Sequence, residues 1–418
     1  MGRWILAAAL LAAAPAGAQH RPSTVCRLPV QPPAAAGGPT SAVSLGARGA
    51  RETCDDPTAT FEVTYDGFPD AARRAFSAAV ETWACRIVSD IPIRIDARWE
   101  PLGAAVLGSA GPFLTRNFEG APARDTWYPS ALADVLAGRD LASGPDIDAT
   151  FNSAFGTWHL DPDTPPGPDD YDLYTVVLHE LGHGLGFIGN LTVEDGLGFV
   201  GAPGQTEGAF IYDRFTRDAS GAPLLDFGDG TPALADALQD AATFGGPAVE
   251  AAAGGAVPLH MPSRWEPGGS YSHLDEQAFG SGTPDGLMTP FVARGEAVEA
   301  PGGAVCAVLA DLGWSLSGAC AASVGPVTPP GDALTLVPLS ANPVRDGAIE
   351  VGVAAAVPQS ASVTLVDVLG RRVASEEVSL SSDARTVRFD ARPLASGVYL
   401  VVVEAGGQQD ALAVTVAR

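Results

Sequence analysis

Two histidines and one glutamate stand at the spacing used by metal-dependent hydrolases. The segment Thr175–Phe187 reads TVVLHELGHGLGF and repeats its apolar residues at helical period. On one helix, His179 and His183 lie on the same face, where their imidazoles can hold a single ion, and Glu180 is adjacent. The spacing predicts a Zn²⁺ site in which Glu180 accepts a proton from an attacking water molecule.

A catalytic zinc site needs a third protein ligand. In the pattern HExxHxxGxxH this ligand stands six residues after the second histidine, but Gly189 occupies that position here. The remaining candidates are His20, His159, His260, His273, Glu194 and Glu207. His20 falls in the leader, and His159 is interpreted as an edge or cleft-rim residue. Glu207 would suit a site with a glutamate ligand, but the ExxxD continuation of such sites is missing.

His273 is the favoured third ligand. It follows Pro267–Gly269, where the chain can turn to present an imidazole. Asp275 is expected to orient the ring as a hydrogen-bond acceptor. The alternative is that His273 is a surface residue and that Met288 belongs to an ordinary core.

The motifs HELGHGLGF, SHLDE and GLMTP, in this order, resemble the metzincin metallopeptidases, in particular the leishmanolysin-like branch. The resemblance implies that His179, His183 and His273 are the metal ligands and that Glu180 is the general base. It also implies that Gly186 ends the helix and that Met288 is the turn methionine. It covers about Phe61 to Trp314 and implies a two-lobed α+β catalytic domain with a twisted sheet and an active-site helix. The insertion 190–269 has no assigned role.

Hydrophobic periodicity independently indicates an α/β or α+β unit. Period-two alternation predicts strands at 61–65, 91–99 and 146–153, and helical periodicity predicts helices at 68–87 and 307–314. The proline-rich segment 161–172 is predicted to be a loop. The end of the third strand, Phe151–Ser153, is expected at a sheet edge, where an extended peptide substrate could pair.

The N-terminus has the three parts of a secretory signal. Arg3 supplies positive charge, Trp4–Ala14 an apolar segment, and Ala16–Ala18 a small-residue cleavage site. We therefore predict a signal peptide at 1–18, the alternative being a membrane anchor, for which the apolar segment is too short. No transmembrane segment is expected in the mature chain. Residues 19–58 are rich in Pro, Ala and Gly and are interpreted as an irregular leader or pro-segment, followed by the metallopeptidase domain at 59–316.

A second unit follows a small-residue and proline-rich linker at 317–334. Beyond it, short alternating runs predict strands near 349–353, 363–366, 387–389, 398–402 and 412–416. The segments 341–344, 365–373 and 394–404 are similar to type IX secretion sorting domains. The resemblance implies that 335–418 form a small all-β, Ig-like sandwich that engages the type IX machinery for export across the outer membrane. The alternative is an Ig-like binding or spacer domain.

The net charge and the cysteines further limit the possible binding partners and the disulfides of the protein. The chain has 49 acidic and 24 basic side chains, all of the latter Arg, for a net charge of −25, which opposes binding to nucleic acid. We expect a soluble monomer. Of five cysteines in an exported chain, Cys306 with Cys320 and Cys54 with Cys85 are the natural disulfides. Cys26 is left as a free thiol, an intermolecular partner or a thiolate that blocks the metal.

These features together predict a secreted, zinc-dependent endopeptidase acting on protein or peptide substrates. The competing hypothesis is a cell-surface binding protein or adhesin that retains a non-catalytic zinc site. The acidic loops 161–172 and 226–232 offer oxygen ligands for Ca²⁺, but solvated acidic surface is the commoner explanation in so acidic a chain.

Overall fold

The structure is a computed structural model that describes most of the chain. The described residues are 26–29, 54–201, 207–280, 285–324, 334–338, 344, 347–355, 359–367, 371–381, 385–405 and 408–416. The predicted signal peptide, most of the leader and residues 325–333 of the predicted linker lie outside them. No helix in the described part is long and apolar enough to cross a membrane.

The N-terminal unit combines several small sheets with helices. Its strands are β1 (Cys26–Pro29), β2 (Phe61–Asp66), β3 (Ile93–Glu100), β4 (Val106–Pro112), β5 (Leu114–Arg116), β6 (Trp127–Pro129), β7 (Ile147–Asn152), β8 (Trp158–His159), β9 (Tyr171–Asp172), β10 (Leu191–Glu194), β11 (Leu197–Val200), β12 (Thr216–Asp218), β13 (Ala242–Phe244) and β14 (Val257–Pro258). Its α-helices are α1 (Asp70–Ala84), α2 (Ser130–Ala137), α3 (Leu173–Gly184), α4 (Pro232–Ala237), α5 (Pro247–Ala253), α6 (Glu276–Phe279), α7 (Gly303–Leu312) and α8 (Gly318–Val324). Short 3-10 helices lie at Tyr212–Phe215, Leu224–Phe227 and Gly286–Met288.

The main sheet has five strands in the order β1-β4-β7-β3-β2. Strands β2, β3 and β7 run parallel to one another, and β4 is antiparallel to β7. The three strands predicted from alternation are therefore confirmed. The expectation that Phe151–Ser153 lies at an edge is wrong, because Phe151 pairs with both Gly108 and Trp99. Alternation reveals a strand but not its neighbours, and the glycines and proline of β4 hide that strand in the sequence.

The leader contributes a strand where irregular structure was expected. Cys26–Pro29 forms β1 and pairs antiparallel with β4, with Leu28 opposite Gly108. Leu28 is fully buried. Part of the leader is thus packed into the N-terminal unit, along the outer side of β4.

Helix α3 is buried along its whole length. It starts at Asp172, whose side chain accepts hydrogen bonds from the backbone N–H of Thr175 at 3.1 Å and from its hydroxyl at 2.7 Å. Two indole groups anchor its backbone, because Trp83 Nε1 donates to the carbonyl of Leu178 and Trp314 Nε1 to that of Leu185. Two elements predicted from periodicity, α1 and α7, are also present.

Two disulfides fasten the unit, and both pairings predicted from spacing are confirmed. The Cα atoms are 5.8 Å apart in Cys54–Cys85 and 5.3 Å apart in Cys306–Cys320. The second bond joins α7 to α8. Helix α8 itself lies in the first part of the segment that composition indicates as a linker.

The C-terminal region is all β. Its strands are β15 (Leu334–Pro338), β16 (Ala348–Ala355), β17 (Gln359–Asp367), β18 (Arg372–Leu380), β19 (Arg385–Asp390), β20 (Gly397–Ala405) and β21 (Gln408–Val416). They form two antiparallel sheets, β15-β16-β19 and β18-β17-β20-β21, around one apolar core. The five predicted strands are confirmed. Strand β18 was not predicted, because most of its residues are polar and exposed.

Candidate metal centre

Three imidazoles from two distant segments meet at one point. His179 Nε2 lies 3.0 Å from His183 Nε2, and His273 Nε2 lies 3.2 Å from the second and 3.3 Å from the first. All three side chains are fully buried. The structure thus brings together the three histidines that the sequence favours as ligands, and this buried group could hold a metal ion.

Backbone carbonyls fix the tautomer of each ring. His179 Nδ1 lies 2.6 Å from the carbonyl of Leu287, His183 Nδ1 2.7 Å from that of Phe187, and His273 Nδ1 2.8 Å from that of Gly269. Since a carbonyl only accepts, each Nδ1 must carry the proton. Each Nε2 therefore presents a lone pair toward the other two, the arrangement that metal-bound histidines require.

Burial keeps the rings neutral. Desolvation lowers the pKa of His179 to about 4, although the hydrogen bond to Leu287 opposes the change. Desolvation also lowers the pKa values of His183 and His273 well below the usual range. At neutral pH all three can act as ligands without first losing a proton.

The distances fit a metal ion. Two nitrogen ligands at a tetrahedral Zn²⁺ lie about 3.3 Å apart when each Zn–N distance is about 2.05 Å, close to the three separations in this group. Three lone pairs that face one another without a shared proton repel, and a cation between them would remove that repulsion. The donor set of three neutral imidazoles suits Zn²⁺.

Two glycines at the C-terminal end of α3 let the helix pack closely on the sheet and end near His183. A Cβ at Gly184 would come 2.6 Å from Cγ2 of Ile147, so the helix lies directly on β7. Gly186 has φ +119°, a conformation that ends the helix at this point. The turn brings the carbonyl of Phe187 back to the ring of His183.

The turn around Met288 joins the two halves of the group. The carbonyl of Leu287 accepts from His179, and that of Met288 accepts from the backbone N–H of Leu274 at 2.8 Å. The adjacent carbonyls of Leu287 and Met288 therefore hold the ring of His179 and the backbone of Leu274, the residue that follows His273. The side chain of Met288 is buried against α3 at Gly182.

Glu180 is buried beside the leader strand. Neither carboxylate oxygen has a hydrogen-bond partner among the described residues. Burial raises the pKa of the carboxyl well above its usual range, and the backbone groups of Ala110 and Leu28 oppose this without reaching hydrogen-bond geometry. Glu180 therefore lies where β1 and β4 meet α3.

The other candidate ligands lie elsewhere. His159 Nε2 is 2.8 Å from the carbonyl of Thr164. Glu194 and Glu207 are exposed, and the ring of His260 is not part of the group. His20 lies outside the described residues, as does the side chain of Cys26. In the part of the chain that the structure describes, neither acidic loop brings three carboxylates together as a Ca²⁺ site.

The role expected for Asp275 is wrong. Its carboxylate caps α6, accepting from the backbone N–H groups of Gln277 and Ala278, each at 3.0 Å. The carbonyl of Gly269 orients the ring of His273 instead. A backbone carbonyl leaves no signature in a sequence, so this partner could not be predicted.

Sequence reasoning also missed a buried pair next to the group. Tyr271 Oη donates to Asp213 Oδ1 at 2.9 Å, and both side chains are buried. Burial raises the pKa of Asp213 to about 6, although backbone N–H groups of Asn190 and Phe210 oppose the change. Asp213 belongs to the insertion, for which the sequence offered no matching element.

Comparisons with known proteins identify the C-terminal region. Residues 342–415 match the family described as the secretion system C-terminal sorting domain. The chain therefore carries a C-terminal type IX secretion sorting domain, which indicates export to the cell surface or the medium. No curated protein matches the chain.

Matches to solved structures are partial. Dimeric latent PorU from Porphyromonas gingivalis is 21 % identical over 22 % of this chain and 9 % of its own length, with a TM-score of 0.17. A CARDB domain from Pyrococcus furiosus is 16 % identical over 20 % of this chain and 88 % of its own, with a TM-score of 0.16. A β-glucosidase from Listeria innocua is 22 % identical over 20 % of this chain and 16 % of its own, with a TM-score of 0.15.

Proposed function

We propose that the protein is an exported zinc-dependent endopeptidase of metzincin-like architecture. The observation that carries the proposal is the convergence of three Nε2 lone pairs, 3.0–3.3 Å apart, on the helix that also holds Glu180. Three protein ligands leave a fourth position open, as in catalytic zinc sites, whereas structural zinc sites fill all four.

The metal would be held by His179, His183 and His273. When bound, Zn²⁺ supplies Lewis acidity that lowers the pKa of a water molecule to about 7 and polarises a carbonyl group. The carbonyls of Leu287, Phe187 and Gly269 keep the three rings in the tautomer that this task needs.

Glu180 is the proposed general base. Once the site is open to water and the carboxyl is ionised, Glu180 accepts a proton from the attacking water and passes it to the departing amine of the cleaved peptide. Two features support the assignment, namely its position next to His179 and the lack of a hydrogen-bond partner for either carboxylate oxygen among the residues that the structure describes. A buried carboxylate without a structural partner is costly, and such a group is typical of a site kept for chemistry.

The resemblance to leishmanolysin-like metzincins supports the same conclusion. Met288 packs against α3 at Gly182, the place where a turn methionine would lie beneath the metal. Gly186 ends the helix with a positive φ. These two positions support the roles that the resemblance implies for Met288 and Gly186.

A second candidate is a binding protein or adhesin with a non-catalytic zinc site. One observation favours it, because the three histidines and Glu180 are fully buried and a substrate could not reach them in this conformation. The endopeptidase proposal therefore requires that the segment covering the site move away, and β1, which lies beside Glu180, is the candidate that we test.

Casein digestion with and without a chelator distinguishes the two candidates. We expect digestion by the zinc-loaded protein, loss of activity with the chelator and recovery when Zn²⁺ is added. Glu180→Gln should still bind Zn²⁺ but lower the rate by about 10²- to 10⁴-fold, because it removes the base and keeps the ligands. Glu194→Gln, at an exposed position of β10, is the matched control and should keep full activity. Wild-type activity in Glu180→Gln would refute the base assignment, and zinc binding without digestion by any form would favour the adhesin.

A further inference from the structure

Tyr271 has an unusual backbone conformation two residues before a proposed metal ligand. Its φ is +73°, in the left-handed region that side-chain-bearing residues rarely adopt. Such a conformation persists only where the surroundings fix it from several sides. Tyr271 is also 1 % exposed, so the fixing contacts must come from the interior.

Those contacts use every polar group of the residue. Its backbone N–H donates to the carbonyl of His260 at 2.9 Å, and its carbonyl accepts from Tyr212 Oη at 3.2 Å. Its own Oη donates to Asp213 Oδ1 at 2.9 Å and lies 2.7 Å from Thr216 Oγ1. The ring packs edge-to-face on Tyr212.

Asp213 ties this residue to the segment that follows α3. Its Oδ1 also accepts from the backbone N–H of Asn190 at 2.9 Å, and its Oδ2 accepts from that of Phe210 at 2.7 Å. Asn190 lies three residues after Phe187, whose carbonyl orients His183. One carboxylate thus connects the chain near His183 with the chain near His273.

The ring of Tyr271 fills a place that the sequence leaves vacant. Gly189 stands six residues after His183, where the short-spaced pattern would have its third ligand. A Cβ at Gly189 would run into the ring of Tyr271 and come 2.7 Å from Asp213 Oδ1. The tyrosine therefore occupies the space beside Gly189, and the chain two residues later delivers His273 to the other two imidazoles.

We infer that Tyr271, held by Asp213, is a positioning residue that places His273 Nε2 within 3.3 Å of its partners before a metal ion arrives. The inference rests on the proposed metal site. The phenol acts through the backbone between Tyr271 and His273, where Ser272 Oγ accepts from the N–H of Gly189 at 3.1 Å and adds a second link.

The test measures Co²⁺ binding to the full chain, since the visible spectrum of bound Co²⁺ reports the geometry of its ligands. Tyr271→Phe keeps the ring but removes the hydroxyl. We expect it to weaken Co²⁺ binding about 10- to 100-fold, the usual effect of losing a group that orients a ligand, and to change the spectrum. Asp213→Asn should change both in the same direction.

Tyr128→Phe is the matched control, because Tyr128 is another buried tyrosine, whose hydroxyl accepts from the N–H of Ala123 at 2.8 Å. It should keep the wild-type affinity and spectrum, while circular dichroism verifies that each variant is folded. If Tyr271→Phe does not fold, Asp213→Asn decides the question. Folded variants with the affinity and spectrum of the wild type would overturn the positioning role alone. A wild-type chain that binds no Co²⁺ would overturn the proposed metal site and the inference with it.

Discussion

Met288 packs against the backbone of Gly182, so closely that a methyl group on this glycine would come 2.7 Å from the thioether sulfur. Gly182 lies between His179 and His183 on α3, on the side of the helix that faces the Gly286–Met288 turn. This contact sets the distance between helix and turn. Carbonyls of the turn accept hydrogen bonds from the ring of His179 and from the backbone N–H of Leu274, next to His273. The contact between Met288 and Gly182 therefore affects the positions of both His179 and His273.

Loss of the distant ligand should abolish metal binding. His273→Ala leaves two imidazoles. Loss of a group that only orients a ligand lowers metal affinity about 10- to 100-fold, and we expect the loss of a ligand itself to lower zinc affinity further. Peptide hydrolysis should disappear with it. Metal content and casein digestion check the prediction, with His159→Ala as the control because His159 lies outside the group. Unchanged metal content in His273→Ala would point to another ligand.

The stability of the metal-free protein should depend on the histidines. The pKa of His179 is about 4 in the folded state, against about 6.5 in an unfolded chain. Between these pH values the unfolded chain binds more protons, so stability falls as pH falls. From pH 7.5 to 5 the loss from His179 alone is about 2 kcal/mol.

Urea unfolding of the wild type and of His179→Gln at several pH values measures this loss. Buried carboxyls such as Asp134 and Asp311, whose pKa values burial raises to about 7 and about 6, act in the opposite direction. They are common to both proteins and cancel in the difference. A pH dependence equally steep in His179→Gln would contradict the prediction.

Displacing the leader strand should open the site. Leu28 is buried in β1 beside Glu180, so Leu28→Asp places a second carboxylate there and should expel the strand. We expect peptide hydrolysis to rise at least about tenfold, the change that corresponds to about 1.4 kcal/mol. Leu400→Asp, at a position that is 38 % exposed, is the control. A folded Leu28→Asp protein with no gain in rate would show that β1 does not limit access.

Close packing of α3 on the sheet can be tested at Gly184. Gly184→Ala gains helix propensity of up to about 1 kcal/mol, but its methyl group would collide with the buried side chain of Ile147. Overpacking costs about 1–3 kcal/mol, so we expect net destabilisation in urea unfolding. Gly144→Ala, with open space around the added Cβ, should leave stability nearly unchanged. A stabilised Gly184→Ala would mean that β7 yields easily.

Local patterns in the sequence were enough to predict many helices and strands, but not which strands pair with one another. Alternation identified β7, but its position inside the sheet depends on β4, whose glycines and proline carry no alternation. Cysteine spacing identified both disulfides. Polar β18 was missed, because a strand held by its partner's backbone needs few apolar residues of its own.

For the candidate site, the sequence provided the three imidazoles but not the groups that orient them. His179, His183 and His273 have titratable, metal-binding side chains, which composition and spacing can reveal. The carbonyls of Leu287 and Gly269 exist at every position of any chain, and only folding selects them. Asp213 and Tyr271 meet across 58 residues, a pairing that no local pattern encodes.

The bond between Cys306 and Cys320 closes the N-terminal unit shortly before the sorting domain begins. All three histidines, Glu180 and both disulfides precede Val324, the last residue of α8. A single cut in the segment 325–333 would therefore separate the sorting domain from the N-terminal unit. The N-terminal fragment would keep both disulfides found among the described residues, so loss of the sorting domain would leave the cross-linked unit and its three histidines intact.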